Sequence, residues 1–164
     1  MMISETMNTK LNDQIVAEFT AAYHYLAMAC ALDEMGYKIL RELFHHQYRE
    51  ELEHAERIVK YVGEVGGTVT LDALPKPNGT FSNPEAIAQA ALDSEMSITN
   101  RINDLVGLAD SEKDYATRRF LDWFIEEQVE EISSMGDLLR LIQMAKGNML
   151  QVEARIRHEM AAPK

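Results

Sequence analysis

Apolar residues recur at helical spacing in four long stretches, at about 5–34, 38–65, 84–111 and 115–144, and in a short fifth at about 148–160. Only a few residues around Gly36 separate the first stretch from the second, and about as few separate the third from the fourth. Each pair is therefore expected to pack as an antiparallel hairpin. Between the hairpins lies GGTVTLDALPKPNGTFSN, residues 66–83, whose Gly66, Gly67, Pro75, Pro77 and Gly79 interrupt any helix. At roughly 3.3 Å per residue this segment reaches about 60 Å, while the third helix, at about 1.5 Å per residue, is about 42 Å long. The segment can cross the whole length of a bundle, although a flexible linker would need no different length. Ser82-Asn83-Pro84-Glu85 supplies a cap, a helix-start proline and a first-turn acid, and Asn148 can cap the fifth helix after Gly147. The expected fold is all-α: a four-helix bundle with one long crossover and a short fifth helix, forming a single domain over residues 1–164.

Polar residues fall where the stripes should be apolar. The first runs Leu11, Ile15, Glu18, Ala22, Tyr25/Leu26, Ala29; the second Leu40, Phe44, Gln47, Glu51, His54, Ile58, Val62. The third runs Ala88, Leu92, Glu95, Ile98/Thr99, Ile102, Leu105, and the fourth Leu121, Phe124, Gln128, Glu131/Ile132, Met135, Leu138, Ile142. The interruptions lie near the middle of each stretch, so they share one level whichever way each helix runs. Four unpaired carboxylates inside a bundle repel one another and cost several kcal/mol each to desolvate, so they need protons or cations. Two divalent ions balance four such charges. Hard carboxylate oxygens with one imidazole suit iron or manganese best, with zinc still possible.

Composition sharpens this picture. Twenty-seven acidic residues against 16 Lys plus Arg give a formal charge of −11, which disfavours nucleic acid and anionic membranes and favours cations. The single cysteine, Cys30, excludes an intrachain disulfide and any Cys-rich metal site, and is expected to be a small buried residue. The start, MMISETMNTK, has no apolar signal core, and the longest apolar run, Leu26 to Leu32, is far too short to span a membrane. A cytoplasmic protein is expected. His24, His45, His46 and His158 join no acidic core cluster and are expected at surfaces or interfaces.

The segments LNDQIVAEFTAAYHYLAMA, YREELEHAERIVKYV, LDSEMSITNRINDL and FLDWFIEEQVEEI together resemble the ferritin family, in particular non-haem bacterial ferritins, across essentially the whole chain. That resemblance implies a ferroxidase that oxidises iron(II) with O2 or H2O2 and stores ferric mineral inside a homo-oligomeric shell of 24 subunits. Glu18, Glu51 and His54 would hold one iron, and Glu51 would bridge to a second held also by Glu95 and Glu131, with Tyr25 alongside. A third, weaker iron site would map to Glu50, Glu127, Glu130 and Glu131. Haem-containing relatives repeat Glu-x-x-His on the fourth helix and place a haem-ligating Met after the bridging Glu. Here those positions read Gln128-Val129-Glu130-Glu131 and Leu52, so no haem is expected and the second iron lacks an imidazole. Tyr25 and Trp123 are candidate electron donors, with plain core packing the competing role.

Two rival functions remain open at the level of sequence. One is a small-oligomer di-iron oxidase or peroxidase of the rubrerythrin-like type; the other is a metal-free helical interaction protein. The acids Asp110, Glu112 and Asp114 at the turn before the fourth helix are candidates for an iron channel, on charge alone.

Overall fold

The computed structural model describes residues 1–162 and consists of five helices. They are α1 (Glu5–Glu34), α2 (Lys38–Glu64), α3 (Pro84–Glu112), α4 (Tyr115–Ala145) and α5 (Met149–Ala161). Caps explain most boundaries. Ser4, Asn83, Asp114 and Asn148 each accept a bond from a backbone N–H in the first turn of α1, α3, α4 and α5. Tyr37, at the cap position before α2, makes no such side-chain bond; Glu153 of α5 instead accepts from the backbone N–H groups of Ile39 (2.8 Å) and Leu40 (3.1 Å).

Helix α1 packs on α2, α3 on α4, and the two hairpins join along α1 and α3, with α5 laid against α2 and α4. Side-chain bonds pair Ser4 with Glu112, Gln14 with Arg101 and Tyr25 with Glu95, so α1 and α3 run antiparallel. Tyr61–Thr117 and Gln47–Glu131 show the same for α2 and α4. The crossover must therefore return along the bundle. It is anchored at its start, where Asn12 Nδ2 donates to Thr68 O and Asn12 Oδ1 accepts from Thr70 N. Gly67 sits so close to Asn8 and Val62 that an added Cβ would lie 2.4 Å from Asn8 Oδ1.

The core is divided. One apolar cluster holds Tyr25, Leu32, Leu40, Phe44, Ile87, Leu138 and Val152; the other holds Met7, Leu11, Ile15, Ile58, Val62, Ile102 and Leu121. The polar layer lies between them. By length and composition α1 is apolar enough to cross a membrane, with a mean hydropathy of 1.4 over its most apolar window, but half of that window is buried inside the bundle. One expectation fails: Cys30 is exposed. Buried Met28, Ala29, Ala31 and Leu32 show α1 turning those residues to the core, which leaves Cys30 on the outer side of the helix.

Candidate metal centre

Glu18, Glu51, His54, Glu95, Gln128 and Glu131 are all buried, none more than 5% exposed. One ligand atom from each of Glu18, Glu51 and His54 lies within 4.8 Å of the others, and so does one from each of His54, Glu127 and Glu131. His54 joins the two groups: its Nδ1 lies 3.4 Å from Glu51 Oε2 and its Nε2 lies 3.9 Å from Glu127 Oε1. The Glu-x-x-His spacing places Glu51 and His54 on one face of α2 because residues three apart stack on a helix.

Three glutamine amides donate to this layer, each to a different carboxylate. Gln14 Nε2 donates to Glu18 Oε1 at 2.8 Å, Gln47 Nε2 to Glu131 Oε2 at 2.6 Å, and Gln128 Nε2 to Glu95 Oε2 at 3.2 Å. Tyr25 Oη also donates to Glu95 Oε1 at 2.5 Å. Glu51 differs, because among the described residues neither of its oxygens has a hydrogen-bond partner, and Glu18 Oε2 has none either. Three buried, unpartnered carboxylate oxygens are costly in a protein core and mark where a cation can bind.

The electrostatics agree. Burial, reinforced by the Glu51 charge, pushes the Glu18 carboxyl well above its ordinary range. Burial and then Glu95 do the same to Glu51, and burial raises Glu95. Glu131 is pushed up to about 8 by burial and by the charges of Glu95 and Glu50. Tyr25 is likewise raised, first by burial and then by Glu95. Such a layer holds protons or cations, since like charges this close cannot all ionise alone.

The remaining candidates separate. A groove of about 1380 Å³ opens where α2, α4 and α5 meet, lined by Glu50, Glu127, Glu130 and Glu131 among others. Glu131 is buried, Glu50 and Glu127 half-buried, and Glu130 exposed and outside both close groups. Trp123 is half-buried with its ring edge-on to His54, centroids 5.4 Å apart, and the Arg57 guanidinium lies 4.0 Å over the indole. The turn acids all have partners within the chain: Asp110 pairs with Arg118, Glu112 accepts from Ser4 Oγ, and Asp114 caps α4. His45, His46 and His158 are exposed and His24 half-buried. Sequence reasoning missed Gln14, whose spacing four residues before Glu18 is a usable signal, and Arg101, which carries none.

Residues 8–145 match the family model described as Ferritin-like domain. The chain is 32% identical to ferritin BfrB of Mycolicibacterium smegmatis over 166 residues, covering 99% of this chain and 92% of that protein. It is 36% identical to the bacterial non-heme ferritin of Staphylococcus saprophyticus, covering 79% of this chain and 78% of the relative. Among solved structures, an open pore ferritin from the hyperthermophilic archaeon Archaeoglobus fulgidus superposes with a TM-score of 0.92 at 37% identity, covering 94% and 96% of the two chains. With a family match spanning most of its length, and a buried layer of carboxylates and one imidazole between two apolar cores, the chain belongs to the ferritin family.

Proposed function

We propose that this protein is an iron-storage ferritin with ferroxidase activity, folded as one domain and working in the reducing environment its single cysteine suits. The observation that carries the reading is the set of three unpartnered oxygens on Glu18 and Glu51, facing one imidazole in a layer where Glu18 Oε1, Glu95 and Glu131 accept from glutamine amides and Tyr25. Glu18, Glu51 and His54 hold one iron(II). Glu51, whose two oxygens are both free, bridges to a second held by Glu95 and Glu131, with Gln128 steadying Glu95. Each iron(II) gives up one electron. The pair of electrons, with two protons, reduces O2 to H2O2, or reduces H2O2 to two waters. Carboxylate charge favours the higher oxidation state of the metal. Glu50, Glu127, Glu130 and Glu131 line the groove through which oxidised iron leaves toward storage, as a third, weaker site.

Storage needs an enclosed volume that a single chain of this size does not provide, so the reading includes a homo-oligomeric shell, taken as 24 subunits. Anaerobic iron(II) titration followed by air, monitored by absorbance and size exclusion, tests it. The expected result is rapid oxidation in a large particle that retains hundreds of irons, with the fast phase lost in a Glu51→Ala, His54→Ala variant. Oxidation of only a few irons by a small oligomer would replace this reading with a rubrerythrin-like oxidase.

A further inference from the structure

The carboxylates of the central layer each meet a glutamine except Glu51, but the three glutamines are not held alike. Gln14 is 1% exposed, and its carbonyl oxygen accepts from Arg101 Nε at 3.1 Å while its amide nitrogen donates to Glu18 Oε1 at 2.8 Å. Arg101 is held in turn by a 2.9 Å bond from its Nη2 to the backbone oxygen of Asp13. Among the described residues Gln47 makes a bond only to Glu131, while Gln128 donates to the Glu95 carboxylate, to the Glu95 backbone oxygen and to the Thr99 hydroxyl. A backbone carbonyl only accepts, so it fixes the Gln128 amide from its NH2 end; a guanidinium has five donors and no acceptor, so it fixes the Gln14 amide from its carbonyl end.

The two ends of a glutamine amide are nearly identical in shape and opposite in polarity. Flipped, the Gln14 carbonyl would face Glu18 Oε1, acceptor against acceptor, and the carboxylate would lose the bond that orients it. Arg101 forbids the flip, since a guanidinium facing an NH2 group would leave both without an acceptor. We infer that Arg101, from α3, is a positioning residue for the metal centre on α1 and α2. By locking the Gln14 amide it makes Glu18 Oε1 a hydrogen-bond acceptor and leaves the unpartnered Glu18 Oε2 as the ligand atom. The inference rests on the ferroxidase reading above, and it concerns metal affinity rather than electron transfer. Arg101 touches no metal; it acts across one amide, over the join between the two hairpins.

The test is anaerobic cobalt(II) titration of the full-length, metal-stripped protein, read by calorimetry and by the visible d–d bands that report coordination. Wild type is compared with Arg101→Leu, Gln14→Leu, the double variant and Arg101→Gln, each checked for helicity and melting temperature. Arg101→Leu should weaken the tighter cobalt site about tenfold, in the range that loss of a ligand's hydrogen-bond partner typically costs. Gln14→Leu should weaken it at least as much, and adding Arg101→Leu to Gln14→Leu should change nothing further. Arg101→Gln is a neutral partner able to present either polarity, so it should fall between wild type and Arg101→Leu; it carries the test if the leucine variant does not fold. Wild-type affinity in both Arg101 variants, or a full further loss in the Gln14→Leu background, would overturn the positioning role while leaving the metal centre intact. Absence of cobalt binding in wild type, or binding unaffected by Glu51→Ala, would overturn the metal centre itself.

Discussion

At the scale of single residues, the central layer trades stability for chemistry, and pH exposes the trade. Glu131 is raised to about 8 in the folded protein from a reference value of 4.5. A raised folded pKa means that the group's contribution to stability is full below about 4.5 and is lost as pH rises through about 8. Metal-free protein should therefore melt lower at pH 8 than at pH 5, with Glu131 alone costing on the order of 3 kcal/mol near neutrality. Glu131→Gln keeps the shape and removes the charge, so its metal-free melting temperature at pH 8 should exceed that of wild type. Adding zinc(II) should reverse the order, because only the carboxylate gains from the cation. Equal pH profiles for the two metal-free proteins, by calorimetry, would refute this. The same chemistry explains what was legible in sequence. Glu18, Glu51, His54, Glu95 and Glu131 stand out because a charge in an apolar stripe has no cheap explanation. Gln14 does not, since an uncharged amide is tolerated on many helix faces and its role depends on Arg101, 87 positions away. Cys30 misled for the opposite reason: a free thiol is usually buried, and residue type alone put it inside, although the stripe through Ala22, Tyr25 and Ala29 passes it by.

At the scale of helices, the four long elements were readable because their stripes are long and breaks are marked by Gly36 and by Asn83-Pro84, while the caps Ser4 and Asp114 emerge only in the structure. The helix starting at Lys38 has no local capping side chain, and its cap comes from Glu153, more than a hundred residues later. No local pattern can announce such a contact. Glu153 therefore does two things at once: it satisfies two N–H groups at the start of α2, and it pins α5 to the bundle. Glu153→Ala should cost about 1 kcal/mol, the usual value of a cap, and should raise hydrogen exchange in α5 more than in α1 or α3. Uniform exchange across all helices would mean that α5 is held by Val152 and Ile156 alone. The left-handed residue that ends α3, Lys113 at φ 58°, offers the converse change. A glycine adopts that conformation freely, so Lys113→Gly should stabilise the folded chain by roughly 0.5 kcal/mol, measured by denaturant midpoint, and an unchanged or lower midpoint would refute it.

At the scale of the whole molecule, the isolated chain leaves apolar surface that a stable monomer has no reason to keep. Leu71 is 67% exposed and Leu150 82%; the first lies on the crossover and the second on α5, at places the core does not reach. The crossover holds an ordered path through the bonds of Asn12 to Thr68 and Thr70, yet residues 71–76 are exposed throughout. A backbone fixed in place with its leucines outward is the surface expected of an element that another copy covers. If the proposed shell forms, a charge on this loop meets a desolvated neighbour, which costs several kcal/mol at every repeated contact. Leu71→Asp with Leu74→Asp should therefore turn a particle of many subunits into small species on size exclusion. Both substitutions are exposed in the single chain, so its helicity and metal affinity should be unchanged. That separation matters to function: the proposed metal centre lies within one chain, whereas retention of mineral needs the enclosure. The loop variant is expected to oxidise iron(II) at an undiminished initial rate and then to release it as a precipitate. If it stays large and retains its iron, the crossover is not the surface that assembles the shell, and the exposed leucine of α5 becomes the next to replace.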